Sequence, residues 1–170
     1  MIQKGSQTYM KIRHASLSDL AAMQQIYACA REQMRQNGNP SQWGNSSPAT
    51  DILLRDIRDG NSYLLLTDDR PCGAFSLLTG DDPTYAVIED GHWPNDLPYG
   101  TIHRLAGDGT AGGIFRACLA FCESVIPNLR ADTHPDNHIM RHLLESNGFM
   151  RCGIIYVEDK TPRIAYQKTV

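Results

Sequence analysis

The stretch TIHRLAGDGTAGG, residues 101–113, decides the architecture of this chain. Its first half alternates in the manner of a strand, and its second half is a glycine-rich loop followed by an apolar helical pattern. Glycines permit turns with positive φ, and the first amides of a helix have no partner within the helix. These amides and the helix dipole favour a phosphate. The stretch therefore predicts an anion-binding loop, with a flexible strand-to-helix connection as the plain alternative.

Composition limits the classes of protein that remain. The chain has 170 residues, a net charge of -3 and a pI near 6.0, which fit one domain and provide no basic surface for nucleic acid or anionic membranes. No apolar run is long enough to span a membrane, and no signal-peptide pattern follows Met1, so the cytoplasm is the expected compartment. The five cysteines form no CxxC pair or zinc spacing, so no metal is expected.

The order of elements defines one domain. Periodicity and turn signals predict a strand, two helices, three strands, a helix, a strand, a helix and two final strands. We assign residues 10–170 to this domain and residues 1–9 to a short N-terminal extension.

This order, together with THPDNHIMRHLLESNGF at residues 133–149, resembles the GNAT superfamily of N-acetyltransferases. Asn137 followed at helical distance by Gly148 and Phe149 matches the distal signature of that family. The resemblance covers residues 10–167. It implies an α/β (α+β) fold with a mixed, mostly antiparallel central sheet, helices on both faces, and a splay between the fourth and fifth strands.

The resemblance also implies acetyl-CoA as cosubstrate, with the glycine-rich loop as its cradle. Thr110, Gly113 and Phe115 take the first, fourth and sixth positions of the family's acyl-CoA loop, and two of the three depart from its pattern. Backbone amides of residues 111–115 can still hold the pyrophosphate. The expected cofactor-binding residues are Leu105, Gly107, Thr110, Ala111, Gly112, Gly113, Ile114, Phe115 and Asn137.

In this family the acceptor amine attacks the thioester directly, so a base must remove its proton. Strand alternation predicts that Thr101, His103 and Leu105 face one side, which makes His103 the candidate catalytic base. The hydrogen-bonded structural histidine is the alternative. The family's usual general-acid tyrosine is replaced by Leu144, so Tyr99, Tyr156 or no residue takes that role.

An acidic and aromatic segment, residues 81–99, precedes the fourth strand. Carboxylates interleaved with aromatic rings suit a cationic amine, although a solvated loop with aromatic anchors has the same pattern. The expected partner is a small-molecule or peptide amine, with no nucleic acid and no membrane, and a homodimer is left open. The substrate candidates are Trp43, Tyr85, Glu89, Asp90 and Trp93.

Two other functions remain open. Residues 107–112 match GxGxxG, and Asp132 follows where a dinucleotide-binding fold places its ribose carboxylate, but such folds need more parallel units. A catalytically silent acyl-CoA-binding module fits the altered loop and the missing tyrosine. The leading prediction is transfer of an acetyl group from acetyl-CoA to a primary amine.

Overall fold

The computed structural model describes residues 9–169, so the expected N-terminal extension lies outside the described residues apart from Tyr9. The helices are α1 (Leu20–Gln36), α2 (Thr50–Arg58), α3 (Ile114–Val125) and α4 (His138–Ser146). The strands are β1 (Lys11–His14), β2 (Ser62–Thr67), β3 (Arg70–Thr79), β4 (Gly100–Gly107), β5 (Leu129–Thr133), β6 (Met150–Tyr156) and β7 (Pro162–Lys168). Short 3-10 turns occupy Leu17–Asp19 and Pro83–Tyr85.

Local signals in the sequence set several element boundaries. Ser16 and Asp19 form a capping box before α1, and the helix ends at Asn37 and Gly38, where Gly38 has a φ of 80°. Asp68 and Asp69 both have positive φ between β2 and β3, as a two-residue hairpin turn requires. The sequence therefore predicted these boundaries for the right physical reasons.

The seven strands within residues 9–169 form one sheet in the order β1-β2-β3-β4-β5-β7-β6. Every neighbouring pair is antiparallel except β4 and β5, which are parallel and pair only at Gly100–Leu129 and Thr101–Arg130. Beyond these pairs the two strands separate, which confirms the predicted splay. A single parallel pair also rules out the doubly wound sheet that the dinucleotide-binding alternative requires.

Helices cover both faces of the sheet. Buried residues of α1 and α2 pack with Leu64, Leu66 and Ala74 on one face, and α3 and α4 pack with Phe75, Leu77 and other residues on the opposite face. No helix among residues 9–169 is long and apolar enough to cross a membrane. The fold class predicted from the sequence is confirmed.

A β-bulge in β4 changes the predicted alternation. Ser76 pairs with His103 and Ala74 pairs with Ala106, so two residues of β4 lie opposite Phe75. Arg104 in the bulge has a φ of 55°. Because the extra residue interrupts the alternation, Leu105 packs against the same α3 and α4 core as Ile102, which corrects the regular alternation from Thr101 to Leu105 that the sequence predicted.

Buried contacts fix the bulge. Tyr27 of α1 donates its hydroxyl to the Arg104 carbonyl oxygen at 2.8 Å. The Arg104 guanidinium binds Asp56 of α2, whose Oδ2 also accepts a hydrogen bond from Ser76 at 2.7 Å. Asp56 is only 2% exposed, so this ion pair is poorly screened by water. The backbone at the splay is therefore held in one arrangement.

Candidate functional site

Two adjoining cavities lie along β4, and the larger one occupies the splay between β4 and β5. The larger has a volume of about 370 Å³ and the smaller about 250 Å³. Residues from α1, β4, α3 and the start of α4 line both, so the two form one continuous cleft; the shared residues are Met34, Leu105, Phe115, Asn137 and Met140. The cleft is wide enough for a small molecule and opens beside the glycine-rich loop.

The loop has the features that a phosphate needs. Gly113 is the N-cap of α3 with a φ of 80°, and no side chain caps the helix. A Cβ added at Gly112 or Gly113 would meet no atom within 4 Å, so the space over the helix N-terminus is open. The residues present therefore fit an anion held by backbone amides and the helix dipole.

Six predicted cofactor-binding residues line the smaller cavity: Leu105, Gly107, Ala111, Ile114, Phe115 and Asn137. Gly112 and Gly113 form the loop beside it. Thr110 differs, because its hydroxyl donates to Asp108 and accepts from Arg70, both at 2.5 Å. Its side chain therefore stiffens the loop from within.

Asn137 caps α4, the structural alternative considered for it, and makes a second contact outside the helix. Its Oδ1 accepts a hydrogen bond from the Met140 amide at 3.1 Å, as an N-cap does. Its Nδ2 donates to Gln42 Oε1 at 2.8 Å, which ties the start of α4 to the loop between α1 and α2. Asn137 lines both cavities, so its contact with a pantetheine arm stays a prediction.

His103 lines the larger cavity and is paired with a carboxylate. Its Nε2 lies 2.7 Å from Asp82 Oδ2, and both side chains are mostly buried. Burial raises the pKa of Asp82, but hydrogen bonds from His103 and Thr84 outweigh it and lower the pKa to about 2. The ionised Asp82 accepts a hydrogen bond from Nε2–H, so the neutral imidazole has its lone pair on Nδ1.

Asp132 of β5 also lines the larger cavity. Its Oδ1 accepts a hydrogen bond from the Tyr85 hydroxyl at 2.7 Å. Burial, followed by the charge of Asp132, raises the pKa of Tyr85 well above its ordinary value, so Tyr85 stays a neutral donor. Asp82 caps the 3-10 turn Pro83–Tyr85, and Tyr85 is its last residue. Through these two residues the turn holds His103 of β4 and Asp132 of β5, one on each strand of the splay.

The aromatic substrate candidates occupy different environments. Trp43 lines the larger cavity and packs edge-on against Tyr27. Tyr85 is buried behind Asp132. Trp93 is not among the lining residues, and Arg130 lies over its ring at 4.0 Å and over Tyr99 at 3.9 Å. The sequence prediction placed a cationic acceptor against these rings. The cation that lies over them is instead the Arg130 side chain.

The structure does not bring Glu89 and Asp90 to the cleft. Glu89 forms a backbone bridge with Ile154 of β6, and Asp90 follows it with a φ of 53°. Neither residue lines either cavity. The carboxylates that do face the larger cavity are Asp132, Glu158 and Asp159.

Neither tyrosine considered as a general acid lines the cleft. Tyr99 is 6% exposed and its hydroxyl accepts a hydrogen bond from the Asp82 amide, while Tyr156 lies at the surface beside Glu89. Leu144, at the family's tyrosine position, lines the larger cavity.

Sequence reasoning missed Asp82, Gln42 and Arg163 as site residues. The cap signal at Asp82-Pro83 was readable, because Asp82 accepts a hydrogen bond from the Thr84 amide. Its partner His103 lies 21 positions away, and no local pattern indicates that contact.

Comparisons with known proteins identify the fold through solved structures and not through the sequence. No family model matches the sequence, and no curated protein sequence matches it. Among solved structures, a GNAT-family acetyltransferase from Streptococcus agalactiae is 26% identical, with a TM-score of 0.85 and 95% of each chain covered.

Two more distant structures share the fold. The ribosomal-protein-alanine N-acetyltransferase from Brucella melitensis is 20% identical, with a TM-score of 0.62, and covers 94% of this chain and 99% of its own. The NatC complex, solved bound to Gag peptide and CoA, contains a chain that is 11% identical, with a TM-score of 0.64, over 95% of this chain and 98% of its own. The chain described here has the GNAT N-acetyltransferase fold, which supports acetyl transfer as its general chemistry.

Proposed function

We propose that this chain transfers an acetyl group from acetyl-CoA to a primary amine by direct attack, in which a C–N bond forms, the thioester C–S bond breaks and coenzyme A leaves as its thiol with the second amine proton. The observation that carries this proposal is the Asp82–His103 pair, whose His103 lines a cleft continuous with the open glycine-rich loop. A base and an anion cradle in one cleft are what transfer from a phosphate-bearing thioester to an amine requires.

Acetyl-CoA supplies the activated acetyl thioester when it is bound. The amides at the start of α3 would hold its phosphates, since Gly112 and Gly113 leave the space above them open. Leu105, Phe115 and Met140 provide apolar walls for the rest of the molecule.

His103 moves the proton in this proposal. An amine is protonated at neutral pH and attacks only after it loses that proton. Because Asp82 holds Nε2–H, His103 Nδ1 accepts the proton, and the resulting imidazolium is stabilised by the ionised Asp82. Asp82 thus keeps His103 in the tautomer that can act as a base.

The bulge supplies the polarising group. An extra residue in a strand leaves a backbone amide outside the regular ladder. Contacts from Tyr27 and Asp56 fix this part of the strand, so an amide of β4 can be aimed at the acetyl carbonyl without reorganisation.

A mass-spectrometric screen tests the proposal. Purified protein is incubated with acetyl-CoA and a library of primary amines, and acetylated products are scored by mass. We expect at least one amine to be acetylated, with a rate that falls by roughly two orders of magnitude in His103→Ala. Binding of acetyl-CoA without any product would instead support the silent acyl-CoA-binding module.

A further inference from the structure

Arg163 is a buried cation in the wall of the larger cavity. It lies near the start of β7, is 7% exposed, and its Nη1 donates to Thr161 Oγ1 and to the Pro162 carbonyl oxygen, both at 2.9 Å. Within residues 9–169 no carboxylate oxygen lies within 4.0 Å of its guanidinium. A buried charge without a counter-charge is costly, and proteins normally pair it.

Two other arginines in this region are compensated within the chain. Arg104 binds the buried carboxylate of Asp56. Arg130 lies over the faces of Trp93 and Tyr99 and donates to neutral oxygens. Among the described residues Arg163 has neither kind of direct partner: its link to a carboxylate runs through Thr161 Oγ1, which donates to Asp159 Oδ1. Its guanidinium therefore stays available to an anionic group of a ligand in the cavity.

A carboxylate stands on the neighbouring strand. Asp132 pairs with Ala165 of β7, and Ala165 is two residues from Arg163, so their side chains share one face of the sheet. Tyr85 holds Asp132 through Oδ1, and the two opposite charges do not form an ion pair with each other. The cavity therefore presents the Arg163 cation together with carboxylates: Asp132 is held by Tyr85, and Glu158 and Asp159 lie between β6 and β7.

From this arrangement we infer that the acceptor is a zwitterion of the amino-acid type, with its amine between His103 and Asp132 and its carboxylate on Arg163. The inference rests on the proposed function and adds the substrate class. A guanidinium fork matches a carboxylate in two parallel hydrogen bonds, which suits Arg163 for this contact. The volume of about 370 Å³ accommodates a small molecule.

Matched pairs of acceptors test the inference. Phenylalanine is compared with phenethylamine, and leucine with isoamylamine, because each pair differs only by the carboxylate. We expect kcat/KM in the parent to be about tenfold or more higher for the amino acid. In Arg163→Gln the ratio of kcat/KM for the amino acid to kcat/KM for the amine should fall to near one, because kcat/KM for the amino acid falls. The ratio is independent of the folded fraction of the variant.

The control is Arg151→Gln, which removes an exposed charge on β6 outside the cavity and should leave the ratio unchanged. Equal kcat/KM for the two members of each pair in the parent, or an unaltered ratio in Arg163→Gln, would overturn the inference.

Product binding gives an independent readout. N-acetylphenylalanine should raise the melting temperature of the parent and not of Arg163→Gln, whereas N-acetylphenethylamine should raise neither. If no amine is acetylated, the proposed function fails, and this binding comparison still decides the role of Arg163. Stabilisation of both proteins by N-acetylphenylalanine, or of neither, would contradict the carboxylate site.

Discussion

Replacing Asp82 with Asn tests how the site holds its base. The substitution removes the charge 2.7 Å from His103 Nε2 and preserves the size of the side chain. An asparagine also offers Nε2–H an acceptor only when its amide oxygen, and not its NH2 group, faces the ring. We therefore expect both stability and proton transfer to change.

The lowered pKa of Asp82 sets the expected loss of stability in Asp82→Asn. Burial opposes the ionised form of Asp82, but hydrogen bonds from His103 and Thr84 lower its pKa from 3.8 to about 2. That difference corresponds to roughly 2.4 kcal/mol. Solvent reaching the cavity screens it, so we expect Asp82→Asn to lower the free energy of unfolding by about 1–2 kcal/mol at pH 6.

The pH dependence has a definite sign. A carboxylate with a lowered pKa stabilises the fold above its unfolded pKa and loses that contribution as pH falls through the folded one. The difference between parent and Asp82→Asn, measured by urea denaturation, should therefore shrink as pH falls from 3.8 towards 2. The control Asp81→Asn removes an exposed charge one position earlier and should lack this dependence. A difference that stays constant with pH would refute the reasoning.

Three further predictions concern the loop and the base. Gly113→Val should abolish detectable acetyl-CoA binding in calorimetry. The control Gly60→Val also forces a valine to positive φ in open space, so it should destabilise the protein by a comparable amount and leave acetyl-CoA binding intact. Arg70→Ala should change stability by less than about 1 kcal/mol, because Arg70 is exposed in its ion pair with Asp108. It should weaken acetyl-CoA binding severalfold by leaving the Asp108 charge beside the loop without its cation, and unchanged affinity would show that the loop does not depend on this pair. His103→Ala should lower kcat for amine acetylation while acetyl-CoA affinity is retained, and equal kcat in parent and variant would remove His103 from the mechanism.

Much of the fold was predictable because its signals are local. The glycine-rich loop, the capping box at Ser16 and the hairpin turn at Asp68 each depend on a few neighbouring residues. The splay followed from the family resemblance, and the sheet confirms it at the short pairing of β4 with β5.

The arrangement of the site was less predictable because it depends on contacts between distant residues. The bulge at Arg104 is held by Tyr27 and Asp56, which lie 77 and 48 positions away. Arg130 stacks on Trp93, so an aromatic residue that suits a cationic ligand is satisfied internally. Composition alone does not distinguish these two uses of an aromatic ring.

Calorimetric titration with acetyl-CoA tests the central claim, that the loop and cleft bind this cosubstrate. We expect saturable one-to-one binding, and a thermal stabilisation of about 2.7 kcal/mol at a ligand concentration 100 times Kd. NADH and FAD should give no heat under the same conditions, since the sheet lacks the topology of a dinucleotide-binding fold. Binding of a dinucleotide, or no binding of acetyl-CoA by folded protein, would contradict the account.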